Sequence, residues 1–342
     1  MFIYLYNKVM SIQTVIILIL GIGISFLIVY LIKSVIIPKK IASAANLLSK
    51  NENLKAMRAA KAAIEKDPKN VEAHYILGKV YLADKREEQA LREFVSVNRL
   101  GVSGTNIPET EFREAVAVLY AKFNEPDEAL KEYILLIRQH PENPEYYFQA
   151  GKLFFLRNRA NLADQYLRKA VLLNPTEARY NFELGLFYFL SKRIKDAATQ
   201  FETVLKLNPS DGEALLYMGK IYKGTKDYAG SIPYLEKAAR VQEYKLRALV
   251  ELGGSYMSLN MISKAIAELE RAVNIIQNEA DHDSLHARYF LAMCFEKTRE
   301  HIKAVAQWEK IYVQKKNFKD VGEKLAKYSE FKTNIDTKAS SG

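Results

Sequence analysis

Residues whose types could do chemistry are few in this 342-residue chain. His282 and His286 lie four positions apart, with Asp281 and Asp283 beside them, and such a group could hold a metal ion at the start of a helix. The alternative is a polar loop that binds nothing, and we favour it. Cys294 is the single cysteine, so it cannot form an internal disulfide, and we expect it to be a small packed residue. We therefore predict neither a metal site nor a cofactor.

Catalytic motifs are also missing from the sequence. It contains no glycine-rich phosphate loop, no nucleophile elbow and no paired zinc motif. Hydrophobic residue types make up 49% of the chain and charged types 26%, with 15 glycines and nine prolines. This mixture excludes a wholly disordered or collagen-like chain and is typical of a helix-rich protein. We predict that the protein is not an enzyme.

The net charge of +10 is concentrated near the N-terminus. Residues 1–70 carry ten basic and three acidic side chains, and the rest of the chain carries 40 basic and 37 acidic ones. A nucleic-acid-binding body would need a basic surface of its own. The near balance after residue 70 therefore predicts that the body does not bind nucleic acid.

A membrane anchor is predicted at residues 1–36. Residues 9–32 contain no charged side chain, and this uninterrupted run exceeds the roughly 20 residues that cross a bilayer as a helix. A cleaved secretory signal is the alternative, because residues 42–44 resemble a small-residue cleavage site. We favour the anchor, since the apolar run is longer than that of a signal peptide.

The charges beside the apolar run predict its orientation. Lys33, Lys39 and Lys40 follow it, and basic residues near a span are retained in the cytoplasm. We expect these lysines to contact anionic lipid headgroups. We predict a single-pass protein of the cell (inner) membrane with a cytoplasmic body, and a periplasmic body is the alternative.

Internal repetition is the strongest signal in the sequence. Pro141, Pro175 and Pro209 recur with a constant period of 34. The same period separates four glycines and a series of aromatic residues, namely Gly151, Gly185, Gly219, Gly253, and Phe154, Tyr188, Tyr222, Tyr256. Three residue types with one period and one phase indicate a repeat array.

The residues within each period resemble the tetratricopeptide repeat family, whose helix-turn-helix unit has this same period. The unit that starts at residue 178 has the apolar, small and aromatic residues of that pattern in order: Leu184, Gly185, Tyr188, Ala197, Phe201, Val204, Pro209. Further units start near residues 37, 71, 110, 144, 212, 246 and 285, with two steps of 39 instead of 34. The first unit matches the pattern poorly.

The resemblance implies an all-α fold. We predict a solenoid of about eight helix-turn-helix repeats over residues 37–316, in which stacked helix pairs share a continuous core. Phe318, Val321, Leu325 and Tyr328 near helical spacing predict a capping helix at 317–332. Residues 333–342 are expected to form a flexible tail.

The resemblance also implies a function, because the first helices of this family line a concave groove that binds protein or peptide partners. The side chains at groove positions would be apolar at the centre and basic at the C-terminal side: Phe148, Lys152, Phe155, Leu156, Phe182, Leu186, Phe189, Leu190, Leu216, Lys220 and Lys223. The alternative is that the phenylalanines are buried between neighbouring units.

The sequence as a whole predicts a membrane-anchored scaffold or adaptor. It would hold protein partners in its groove during the assembly of an envelope or membrane complex. The alternative function is a chaperone-like binder of unfolded or exported clients on the periplasmic side.

Overall fold

A computed structural model describes the backbone at residues 2–31 and 37–328, and the side chains at 15–30 and 43–328. Throughout these described ranges the regular structure is helical, with no strand. The first eight helices are α1 (Phe2–Leu31), α2 (Ile37–Ser49), α3 (Asn53–Lys66), α4 (Val71–Ala83), α5 (Glu87–Leu100), α6 (Glu109–Lys122), α7 (Pro126–Gln139) and α8 (Pro144–Leu156). They are followed by α9 (Ala160–Leu173), α10 (Ala178–Leu190), α11 (Ile194–Leu207), α12 (Gly212–Gly224), α13 (Tyr228–Ala238), α14 (Lys245–Ser258), α15 (Ile262–Val273), α16 (His282–Lys297) and α17 (His301–Gln314).

Some sequence predictions fall at the edges of these ranges. Residues 321–328 are helical within the predicted capping helix, and its remaining positions 329–332 lie outside the described residues. The predicted tail at 333–342 and the lysine at position 33 lie outside them as well.

The first helix, α1, exposes apolar side chains along its described length. Leu18 is 65% exposed, Phe26 is 73% exposed and Tyr30 is 66% exposed. Ser25 donates a hydrogen bond from its hydroxyl to the carbonyl oxygen of Gly21, at 2.8 Å, which satisfies that polar group within the helix. In the part of the chain that the structure describes, no helix combines the length and the hydropathy that crossing a membrane requires.

Two compact units make up the chain, at residues 1–159 and 160–342. In the first unit, α2 packs on α3, α4 on α5 and α6 on α7, and each pair packs on the next helix. In the second unit, α10 packs on α11, α12 on α13, α14 on α15 and α16 on α17. Consecutive antiparallel helix pairs thus build each unit as an α-solenoid.

Eight of the turns between consecutive helices repeat one backbone geometry. Their central residues have a positive φ between 55° and 65°, although none of these residues is glycine: Asn51, Lys85, Asn124, Asn158, Lys192, Lys226, Asn260 and Arg299. The next residue donates its N–H to a carbonyl five positions earlier, as Arg193 does to Tyr188 at 2.8 Å. This is the Schellman ending of a helix.

The spacing of these turns reproduces the spacing seen in the sequence. Successive turn residues are 34 apart, except from Lys85 to Asn124 and from Asn260 to Arg299, where the step is 39. The two longer steps coincide with the long connections at 101–108 and 274–281. The extra residues are therefore placed between helix pairs, where added loop length costs little.

We expect Lys192→Gly to stabilise the protein by about 0.5–1 kcal/mol. A left-handed conformation costs a lysine about 1–2 kcal/mol, and glycine removes this cost. Glycine also loses more conformational entropy on folding, which offsets part of the stabilisation. Urea unfolding of the full chain, followed by circular dichroism, measures the change. Asn158→Gly is the control and should gain less, because asparagine tolerates this conformation better than lysine. A loss of stability in the lysine variant would contradict the role of the turn.

The periodic glycines lie where two helices approach closely. A Cβ atom on Gly185 would lie 3.0 Å from Cε1 of Phe201, and a Cβ atom on Gly219 would lie 2.5 Å from Cγ of Leu235. Both neighbours belong to the second helix of the same pair and are fully buried. The repeated glycine is thus explained by contact distance, since a side chain there would overlap the core.

Candidate partner-binding face

The first helix of a pair has one side in the core and another that no helix covers completely. On α10 the buried side chains include Tyr180, Leu184 and Phe187. The opposite side has four apolar side chains that are partly or largely exposed, at positions i, i+4, i+7 and i+8: Phe182, Leu186, Phe189 and Leu190. Leu190 is 52% exposed. We call these four residues the α10 apolar face.

An aromatic cluster supports the α10 apolar face. The ring of Tyr217 on α12 lies edge-on to Phe182 at 5.9 Å and to Phe189 at 5.2 Å, measured between ring centroids. It also stacks on Phe201 at 5.2 Å. Burial raises the pKa of Tyr217, and the neighbouring Glu213 carboxylate raises it further. The cluster keeps the two phenylalanines in fixed positions at the surface.

The basic end of the predicted groove is partly neutralised. Lys220 and Lys223 both form ion pairs with Glu251 of α14, the first at 3.9 Å. Lys223 also donates to the backbone oxygen of Glu251 at 3.2 Å, and the Lys220 ammonium lies 5.6 Å from the centroid of the Tyr217 ring. An acidic ligand would compete with Glu251 for both lysines.

A cavity of about 480 Å³ opens at the N-terminal ends of α10 and α12. Its lining includes Phe182 and three carboxylates, those of Glu177, Asp211 and Glu213. Tyr244 donates its hydroxyl to Oε2 of Glu213 at 3.3 Å. Burial raises the pKa of Glu213. The hydrogen bond from Tyr244 lowers it, but by less than burial raises it. Arg179 also lines the cavity, but carboxylates outnumber it.

The structure places the predicted groove residues in three settings. Phe148 and Leu216 are each only 2% exposed, so they belong to the core, and the prediction that these two line a groove is corrected. In the first unit, Lys152 lies 5.2 Å from the centroid of the Phe148 ring, Phe155 is half-buried, and Leu156 is 62% exposed. The remaining predicted groove residues belong to the second unit, four of them in the α10 apolar face and two, Lys220 and Lys223, on α12.

Sequence reasoning missed Tyr217 and Glu251. Both occupy the sixth position of their units, which the groove pattern of the family does not include. The matching positions of neighbouring units are Gln149, Glu183 and Phe290, so no period marks them. A search by repeat position could not have found either residue.

The histidines, the aspartate and the cysteine that the sequence marked as possible metal-binding or reactive residues make contacts common in protein structures. The rings of His282 and His286 have centroids 4.1 Å apart, and Nδ1 of His286 is hydrogen-bonded to the carbonyl oxygen of His282 at 2.8 Å. Asp283 accepts from Arg247 at 2.7 Å. Cys294 is fully buried, and burial raises its pKa to about 11. Over the described residues, no three histidine, cysteine or acidic side chains are grouped as metal ligands.

Family models for the tetratricopeptide repeat match residues 59–92, 157–211, 191–245 and 246–279. These parts of the chain are thus tetratricopeptide repeats, and the described residues have the all-α fold that the resemblance implied. No curated protein sequence matches it.

Solved structures share this fold. The C-terminal part of a TPR repeat-containing protein from Cytophaga hutchinsonii is 18% identical, with 83% of this chain and 99% of that one covered and a TM-score of 0.50. A chain of the APC/C hetero-tetramer Cut9-Hcn1 is 16% identical, with 87% and 56% covered and a TM-score of 0.50. Pseudomonas aeruginosa pilF is 22% identical, with 65% and 97% covered and a TM-score of 0.50.

Proposed function

We propose that this protein is a membrane-anchored scaffold that binds a protein partner through the α10 apolar face. The observation that carries the proposal is a row of apolar side chains on one side of one helix, in which Leu190 is exposed and the other three are partly exposed. Their spacing matches the apolar contacts of an extended or helical peptide. Each large apolar side chain is worth roughly 1.5–3 kcal/mol when it is fully buried, so the face can supply useful affinity.

The charges beside the face limit the chemistry of the ligand. The cavity next to Phe182 contains more carboxylates than cations, which favours a basic side chain of the partner there. Lys220 and Lys223 already share Glu251, so they add little attraction for an acidic residue. We therefore propose a partner segment with two or three apolar residues and a basic residue beside them.

Photocrosslinking tests where the partner lies. We expect a benzophenone amino acid at position 190 to give one crosslinked species in cells, because Leu190 belongs to the proposed contact. The same probe at position 206, an exposed lysine of α11 beyond the α10 apolar face, should give none. Crosslinks from position 206 with none from 190 would place the partner on the second helices and contradict the proposal.

The anchor is proposed for residues 9–32. It is supported by the absence of charge over this run and by the exposed apolar side chains at 15–30 of α1. An isolated helix with apolar side chains on all sides is stable in hydrocarbon, where its backbone groups bond internally. Placing a scaffold at a membrane in this way suits the assembly of a membrane or envelope complex, which is the role we propose.

We expect the body to be cytoplasmic, because Lys33, Lys39 and Lys40 follow the apolar run. Alkaline phosphatase fused after Lys50, or after the exposed Lys226, should be inactive, and green fluorescent protein at the same sites should fluoresce. Active phosphatase at both sites would reverse the orientation and leave the anchor unchanged. That result would favour the chaperone-like function on the periplasmic side.

A further inference from the structure

The helix α3 presents a basic surface on the side opposite to its core contacts. It buries three alanines, namely Ala56, Ala60 and Ala63. The other side exposes Leu54, Arg58, Lys61 and Glu65 at positions i, i+4, i+7 and i+11, with Lys66 and Lys69 at its C-terminal end. We call these six residues the α3 outer face. Four cations against one carboxylate give it a net positive charge.

Among the described residues, the cations of the α3 outer face have no ion-pair partner, whereas some other surface cations of the same unit do. Arg92 pairs with Glu88 at 2.6 Å, and Arg157 pairs with Asp127 at 2.8 Å. Within the described residues, no carboxylate lies within ion-pair distance of the four cations named above. Their charge is therefore available to an external anion.

An apolar residue lies on the same surface. Leu54 is 68% exposed on the same side of the helix as Arg58 and Lys61. Helices that bind at a bilayer surface combine basic residues with apolar side chains that enter the headgroup region. One exposed leucine is ordinary on any protein, and its position within an unpaired basic surface is what makes it relevant.

The chain keeps the α3 outer face near the end of α1. Only 21 residues of sequence, 32–52, separate the end of α1 from the start of α3, and 13 of them form α2 (Ile37–Ser49). A helix rises about 1.5 Å per residue and an extended chain about 3.3 Å, so α3 begins at most about 50 Å from the end of α1. If α1 is embedded, this surface can reach the bilayer.

We propose that the α3 outer face docks on an anionic bilayer surface, with Arg58, Lys61, Lys66 and Lys69 contacting lipid phosphates and Leu54 entering the headgroup layer. This inference rests on the proposed membrane anchor. A nucleic acid is a less suitable partner. A phosphate-tracking surface would continue along the body, where basic and acidic residues are nearly balanced after residue 70.

The test uses the full chain reconstituted with two kinds of vesicle, phosphatidylcholine alone or mixed with phosphatidylglycerol. Ala62→Cys, exposed beside Lys61, takes a polarity-sensitive dye, and the buried Cys294 stays unlabelled. We expect a blue shift of the dye in the anionic vesicles alone. Each cation near an anionic surface is worth about a fivefold change in partitioning. Changing Arg58, Lys61 and Lys66 together to glutamine should therefore weaken docking about 100-fold.

A matched variant removes the same charge elsewhere. Lys192, Lys195 and Lys206 are exposed lysines of the second unit, and changing them to glutamine should leave the blue shift intact. An equal loss of docking in this variant would overturn the proposal, because it would show that general charge is responsible.

Flotation with vesicles distinguishes failure of the membrane anchor from failure of the α3 outer face to dock. A chain that floats with both kinds of vesicle, but whose dye does not respond to lipid charge, overturns the docking surface and leaves the anchor standing. A chain that floats with neither overturns the anchor and this proposal with it. A dye response to added single-stranded RNA, without one to anionic lipid, would make the surface a nucleic-acid site and also overturn the proposal.

Discussion

Gly219→Leu is expected to destabilise the protein by about 3 kcal/mol or more, the upper part of the range for overpacked cores. Gly219 lies on α12 against α13, and even a Cβ atom there would be 2.5 Å from Cγ of Leu235. Leu235 is fully buried, and the interior of a protein is closely packed. The two helices must therefore separate, and urea unfolding of the full chain in detergent measures the cost.

Gly224→Leu is the matched control, because Gly224 lies at the end of the same helix and has no atom within 4 Å of a Cβ position. We expect no loss of stability there, since leucine is a better helix former than glycine by up to about 1 kcal/mol. Neighbouring pairs in a solenoid are coupled, so the damage from Gly219→Leu should extend to α10 and α14 in hydrogen exchange. Equal stability of the two variants would contradict the proposed helix packing.

The repeat fold could be predicted from sequence because each unit repeats the same physical constraints. Glycine at 185, 219 and 253 is needed for helix contact, and the residues that follow the first helices adopt left-handed turns at the same intervals. The left-handed turn residues could not be predicted by searching for glycine, because asparagine, lysine or arginine occupies each of these positions. Tertiary packing imposes that conformation despite its local cost.

The candidate site was less predictable, because binding residues do not have to repeat. Leu186 and Leu190 could be located by position in the unit, whereas Leu216, at the position that corresponds to Phe182, is buried. The charge beside the α10 apolar face depends on two residues of other helices. Glu251 pairs with Lys223, and Glu213 lines the cavity next to Phe182. Pairing across helices is a property of the folded chain, so the lysines alone predicted too basic a surface.

We expect the double variant Leu186→Ser and Leu190→Ser to lose partner binding by a factor of about 100 or more. Each leucine contributes roughly 1.5–3 kcal/mol when a ligand buries it, and both belong to the α10 apolar face. Because Leu190 is already 52% exposed, replacing it should cost the folded protein little. Circular dichroism and melting of the variant establish that loss of binding is not loss of folding.

Quantitative capture from solubilised membranes tests the central claim most directly. The wild-type protein and the Leu186→Ser, Leu190→Ser variant are purified in parallel, and bound proteins are measured by mass spectrometry. We predict one stoichiometric partner with the wild type, its loss with the variant, and its retention when the exposed Leu207 of α11 is changed to serine as a control. Undiminished capture by the double variant, or a broad set of clients in place of one partner, would contradict the proposal of a scaffold that binds through the α10 apolar face.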